Sequence, residues 1–345
     1  MSALKKKVVV GALLALSASA LSVSANAQSV EEFYKSRSLT VIVGYSPGGG
    51  YDTHVRGVLR YYNRHLPGKP NIIVQNMTGA GSLVATNHLY NLALKDGSVI
   101  GMVRAPVLEP LTGTSSSNFD ATKFNWIGSG MTEFTVCALL GGSPAIKTFA
   151  DATKTQVTLA GSGPGSDDDM ISKMLIKLLG LKAKVVSGYP GGAEMQLAVE
   201  RGEVDGRCGW SFTSIKLAHP EWVTERKLRF LASLSMERWP ELPEVPSIME
   251  IAQTDEQKNI LKVAILSADL GRPFMAPPGV PADRVAALRD AFVKTIQDPD
   301  YIAEVTARKE TPTLVDGKRA EAIIKELFST PPELLKQAKA IVNEK

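Results

Sequence analysis

The sequence predicts an α/β protein of two lobes facing each other across a cleft, each lobe a mixed, mainly parallel sheet flanked by helices. Three observations carry this. Apolar runs of strand length alternate with helical patterns, the signature of βαβ units. The order strand, glycine turn, helix occurs in two successive blocks. The glycine turns fall at the carboxyl ends of the strands, where parallel-sheet folds place their ligands.

The first block opens with an apolar run over 39–43 that reads as a buried strand and empties into Gly48, Gly49 and Gly50. A helical pattern follows over 55–64. A second strand is expected over 71–75, a loop over 76–81, a helix over 82–94 and a third strand over 98–103. Shorter strands are expected over 124–127 and 135–140, separated by residues 128–133. The second block has a strand over 157–160, a glycine-rich turn over 161–166 and a helix over 167–179. It continues with a strand over 184–186, a turn over 188–192 and a helix over 193–201, then strands over 204–208 and 228–233. The tail from Pro281 onward is mostly helical, most clearly over 282–297 and 318–328.

Residues 1–27 read as a signal peptide. Lys5, Lys6 and Lys7 form a basic start, residues 8–23 an apolar stretch, and Ala25-Asn26-Ala27 an A-x-A cleavage site. The segment is short and broken by serines, which argues against a membrane anchor. No cysteine lies near the cleavage site to take a lipid. The rest of the chain is expected to be soluble and exported.

Removing three lysines with the leader takes the basic count from 39 to 36 against 35 acids, so the mature charge is about +1. A nucleic-acid footprint would need a basic stripe, and none is present. Small molecules or another protein are the expected partners. Cys137 and Cys208 can pair in an oxidising compartment or stay as two separate buried thiols.

A strand feeding a glycine turn at a helix start brings bare N–H groups to one point, helped by the positive end of the helix dipole. The loop Ser46, Gly48, Gly49, Gly50, Tyr51, Asp52 and Thr53 therefore predicts a small anionic ligand. The same residues contain Gly44-Tyr45-Ser46-Pro47-Gly48, a match to the hydrolase elbow G-x-S-x-G. That elbow needs an N–H on the residue after the serine, and Pro47 has none. His219 is the best of a poor set of histidines, so an exported hydrolase using Ser46 is the weaker reading.

Asp52 would repel an anionic ligand unless neutralised. Arg56, one helical turn on, can face it, leaving Asp52 to fix the loop or to receive a ligand amine or hydroxyl. The second loop, with Gly79, Ala80, Gly81 and Ser82, again permits close backbone approach. Val84 occupies the last glycine position of G-x-G-x-x-G, so no dinucleotide site is supported. The third loop contains Gly163, Gly165 and Ser166, followed by Asp167, Asp168 and Asp169. Acids in a first helical turn are explained by the dipole and by capping. The four histidines have no zinc-type spacing, so neither metal nor cofactor is expected. Arg104, just after the third strand, can either bring positive charge to the cleft or stand as a solvated rim residue.

In this order, P-G-G-G-x-D (47–52), V-x-N-x-x-G-A-G (74–81) and Asp96-Gly97 resemble the Bug family, the substrate-binding proteins of tripartite tricarboxylate transporters. The G-S-G-P-G-S of 161–166, G-Y-P-G-G-A of 188–193, G-E-V-D-G of 202–206 and Pro277-Pro278-Gly279-Val280-Pro281 continue the likeness. It spans essentially the whole mature chain.

The resemblance implies a periplasmic binding protein of the two-crossover, type II Venus-flytrap class. Residues 28–128 plus 247–345 would form lobe one, and 129–246 lobe two. It implies a small carboxylate ligand, held by the first two loops, with Gly163, Gly165, Ser166, Tyr189 and Asp205 reading the remainder from lobe two. Membrane subunits of a transporter would be its partners, or a membrane kinase if the protein is a sensor. Tyr45, Ser46, Tyr51 and the acidic run 167–169 depart from the usual family pattern, which bears on ligand identity.

Overall fold

The computed structural model describes residues 28–113, 115–308 and 310–343; the expected leader and its cleavage site lie outside the described residues. Two sheets organise the chain. The first has the order β11-β4-β10-β3-β1-β2 and the second β7-β6-β8-β5-β9. In chain order the strands are β1 (Leu39–Val43), β2 (Ile72–Asn76), β3 (Val99–Met102), β4 (Asn125–Ser129), β5 (Thr135–Leu139) and β6 (Val157–Gly161). They continue with β7 (Ala183–Ser187), β8 (Gly206–Ser211), β9 (Arg229–Ser233), β10 (Pro273–Ala276) and β11 (Val315–Asp316).

Among the named strands, parallel pairing joins β2-β1-β3 in the first sheet and β7-β6-β8 in the second. These are the strands of the βαβ units. The antiparallel partners come from strands that enter a sheet after the chain has crossed between lobes: β5 between β8 and β9, and β10 between β3 and β4. The chain crosses twice, through residues 130–134 and 234–272. The crossings are tied together where the Glu133 N–H donates to the Ala268 carbonyl at 2.9 Å.

β1 is buried nearly throughout, which explains its unbroken apolar sequence, whereas the edge strand β2 alternates half-buried and exposed. The helix Gly50–His65 buries Val55, Val58, Leu59 and Tyr62 along one face. Tyr62 donates to the Leu288 carbonyl in the helix Ala282–Ile296 at 2.8 Å, joining two helices that cover the first sheet. The helix Asp167–Leu179 starts where the Ser166 hydroxyl accepts from the Asp169 N–H and stops at left-handed Gly180.

The helix Gly50–His65 begins five residues before its apolar periodicity at Val55, with Gly49 as its N-cap and Gly50 as its first residue. The alternation pattern does not anticipate β10, which is only four residues long and flanked by Arg272 and Pro277. Nor does it anticipate the helices Asp255–Ser267 and Ala105–Thr112, the latter holding both Pro106 and Pro110. Cys137 and Cys208 form a disulfide that staples β5 to β8 inside the second lobe. No helix among the described residues is long and apolar enough to cross a membrane.

Candidate ligand site between the lobes

The carboxyl ends of both sets of parallel strands point into one cleft, which encloses a cavity of about 460 Å3. That volume lies in the range of small-molecule sites. From the first lobe the cavity is lined by Gly48, Gly49, Gly50, Tyr51, Thr53 and His54, together with Arg272 and Arg308. The second lobe contributes Gly192, Ala193, Arg207 and Trp210, with Met195 and Leu217 as apolar surface.

Two helix starts meet here. The helix Gly50–His65 begins behind Gly49 and the helix Gly192–Glu200 behind Gly191, and neither N-terminus is capped by a side chain. A Cβ on Gly49 would lie 3.4 Å from the Gly192 nitrogen and 3.6 Å from that of Ala193. Arg207 stands beside the second start: a Cβ on Gly192 would lie 3.5 Å from its Nη1. Uncapped first-turn N–H groups on both sides, with a guanidinium next to them, form a positive seat for an anion.

Asp52 points its carboxylate back into its own loop. It accepts from the Gly48 N–H at 3.0 Å, Arg56 Nε at 2.9 Å and Asn76 Nδ2 at 3.0 Å. Burial works to raise its pKa, but these three donors outweigh that and hold it below the usual carboxylate range. The residue therefore shapes the glycine turn, with its charge paired to Arg56. Ser46 also turns away from the cavity; its hydroxyl donates to Glu194 of the other lobe at 2.6 Å. No histidine accepts its proton.

The second and third glycine loops meet each other. The Gly81 N–H donates to the Ser162 carbonyl at 2.8 Å, and the Gly165 N–H to the Ala80 carbonyl at 3.2 Å. A Cβ on Gly163 would stand 2.9 Å from the Ala80 Cα. Gly79, Ala80, Gly81, Gly163, Gly165 and Ser166 thus form a seam between the lobes and do not line the cavity. Ser82 is committed too, its hydroxyl accepting from the N–H groups of Arg104 at 2.9 Å and Ala105 at 3.0 Å.

Arg104 lies in the same seam, only 1% exposed. It grips Asp167 through two bonds of 2.8 and 2.7 Å and donates to the carbonyls of Ser267 and Leu270. It is a strut between the lobes, and the cations lining the cavity on the first lobe are Arg272 and Arg308. The three aspartates of the acidic run have separate tasks. Asp167 holds Arg104; Asp168 takes Arg207 at 2.5 Å and the Ser162 hydroxyl at 3.0 Å; Asp169 accepts from the Gly163 N–H at 2.9 Å. Among the described residues no cluster of potential ligands is arranged for a metal ion.

Two expected residues lie elsewhere. Tyr189 sits half-buried against the second-lobe core, outside the cavity lining. Asp205 precedes β8, at the amino ends of the strands, where its carboxylate accepts from the Thr158 N–H at 2.6 Å and the Thr158 hydroxyl at 2.9 Å. Parallel strands present ligands at their opposite ends. The motif containing Asp205 is a strand start.

Arg272, Glu133, Arg207 and His54 are the functional candidates that sequence reasoning passes over. Arg272 Nε donates to Glu133 Oε2 at 2.9 Å, and its Nη2 reaches the hydroxyls of Ser214 at 3.1 Å and Ser211 at 3.4 Å. Its Nη1 donates to the Gly50 carbonyl at the helix start. One side chain therefore links the hinge, the first glycine loop and the second lobe.

Residues 62–339 match the model of the tripartite tricarboxylate transporter family receptor. The chain belongs to this receptor family. The matched segment begins past the first glycine loop, so the seat at Gly49 lies ahead of it. Among curated proteins the receptor is 25% identical over 284 residues to the "UPF0065 protein in gbd 5'region" of Cupriavidus necator, spanning 80% of this chain and 79% of that one. Among solved structures it resembles the periplasmic binding protein BugD, with a TM-score of 0.70 at 20% identity over 90% of this chain and 99% of the other. It also resembles MatC of Rhodopseudomonas palustris with bound malate, with a TM-score of 0.67 at 20% identity over 89% and 99% of the two chains. The receptor shares their fold, two mixed sheets flanked by helices.

Proposed function

We infer that this receptor is exported to the periplasm after cleavage near Ala27, captures a small carboxylate between its lobes, and presents the closed complex to the membrane subunits of a tripartite tricarboxylate-type transporter. The observation that carries this reading is the convergence of two uncapped helix N-termini, at Gly49 and Gly191, on one enclosed cavity beside Arg207. Backbone N–H groups at helix starts suit a carboxylate without demanding any one side chain. The likeness to a malate-bound relative supports the same ligand class.

The ligand-holding residues in this reading are Gly48, Gly49, Gly50, Tyr51 and Thr53 from lobe one, with Gly192, Ala193 and Arg207 from lobe two. The seam of residues 79–82 and 162–166 sets how far the lobes close. A ligand favours closure only by binding the closed form more tightly than the open one. No bond is made or broken. The hydrolase reading loses support because Ser46 faces Glu194 and Pro47 offers no N–H for an oxyanion.

A thermal-shift screen of mono-, di- and tricarboxylates on refolded, ligand-stripped protein tests this. A carboxylate present at a hundred times its Kd should stabilise the protein by about 2.7 kcal/mol, visible as a raised Tm. A panel in which no carboxylate raises Tm, while uncharged solutes do, contradicts it.

A further inference from the structure

The charged groups around the cavity carry more information than the anion seat. Each guanidinium that lines it already has a carboxylate partner: Arg207 has Asp168, Arg272 has Glu133, and Arg308 has Glu304 and Glu310. A ligand with a second anionic end finds no unpaired cation among these residues. Two lining groups do lack partners. Glu133 Oε1 and His54 Nε2 are buried polar atoms with no hydrogen bond, on side chains that are 9% and 6% exposed. Buried polar atoms without a partner are uncommon and costly, most of all on a charged group.

Their surroundings explain what is missing. The Glu133 carboxylate spends Oε2 on Arg272 Nε, and the same guanidinium also donates to Gly50, Ser211 and Ser214. No described residue donates to Oε1. His54 is held neutral by burial and by the charges of Arg272 and Arg308, so it adds no positive charge at this point. Glu133 stands one guanidinium away from the helix start at Gly50, because Arg272 joins them. It also sits on the crossover between the lobes, where its N–H bonds Ala268.

We propose that Glu133 is the specificity-determining residue of the site, receiving a protonated amine, so that the ligand is an amino acid and not a simple di- or tricarboxylate. Its carboxylate lies on the helix starts at Gly49 and Gly191, and its ammonium group donates to Glu133 Oε1 at the hinge, with His54 beside it. The inference rests on the carboxylate-receptor reading and narrows it. A buried acceptor that is satisfied only in the closed, loaded state rejects any analogue lacking the donor.

The test is calorimetry and thermal shift on refolded, ligand-stripped protein, with the standard amino acids, the same acids without the amine, and the matching dicarboxylates. The tightest binder is expected to be an amino acid, with its amine-free counterpart at least tenfold weaker. Glu133→Gln should reduce that preference to less than threefold. If amine-free acids or dicarboxylates bind as tightly as the best amino acid, Glu133 does not read an amine and the proposal fails, although the carboxylate reading stands. If no acid of either kind binds, both fail. Should Glu133→Gln not fold, the wild-type ranking alone decides.

Discussion

Arg104 and Asp167 join the two lobes through a bidentate ion pair, with Nε and Nη2 of the arginine 2.8 and 2.7 Å from the two carboxylate oxygens. The arginine follows β3 of the first sheet and the aspartate begins the helix after β6 of the second. Positive charge at this strand end serves closure, and the anion seat is built next to it from backbone N–H groups.

Removing one member of a buried pair leaves the other uncompensated, which typically costs 3–5 kcal/mol. Asp167 keeps partial access to solvent, at 19% exposure, which lowers the expectation to roughly 3 kcal/mol. Arg104→Ala should therefore unfold at clearly lower denaturant and give a larger radius of gyration by X-ray scattering. A loss below about 1 kcal/mol with unchanged dimensions would mean that the lobes are held by other contacts.

The seam itself can be blocked without touching the cavity. Gly81 has φ near +62°, and a Cβ there would meet the backbone nitrogen of Ser166 and lie 2.6 Å from the Gly165 carbonyl carbon. Those atoms belong to the opposite lobe and cannot yield as a flexible side chain would. Gly81→Ala should leave each sheet intact by circular dichroism yet weaken ligand binding by at least tenfold, since the lobes cannot close. Wild-type affinity in this variant would show that closure along this seam is dispensable.

Asp168 makes the account sensitive to pH. Burial pushes its carboxyl up to about 6 from the ordinary 3.8, against the pull of Arg207. The native state then holds more protons than the unfolded chain between these values, so this group's contribution is complete below pH 3.8 and is lost as pH rises through about 6. Asparagine mimics the protonated form. The Tm difference between Asp168→Asn and wild type should shift in favour of the variant as pH rises from roughly 4 to 7. A shift in the opposite direction would show that the bond to Arg207 outweighs burial.

Much of the fold is legible in the sequence because parallel strands and their helices leave local marks. The run 39–43 reads as β1, and the helix Asp167–Leu179 has the expected bounds, with Ser166 before it and Gly180 after it. The site is legible only on its backbone side. Glycines announce N–H groups, but which arginine faces the cavity depends on contacts such as that of Arg272 with Gly50, 222 residues apart. Arg104 and Arg272 each stand next to a strand of the first sheet. Only the packing of the lobes makes one a strut and the other a cavity wall. The resemblance offers Asp205 as a ligand residue, yet it lies at the amino end of its strand, which composition alone does not reveal.

The central claim is that a ligand carboxylate rests on the two facing helix starts. Titration calorimetry with the best carboxylate from the screen and with its methyl ester tests this most directly. The account predicts that esterifying the seated carboxylate weakens binding by about a hundredfold or more, in line with roughly 3 kcal/mol for charge-assisted bonds to N–H groups. Equal affinity for acid and ester would contradict it.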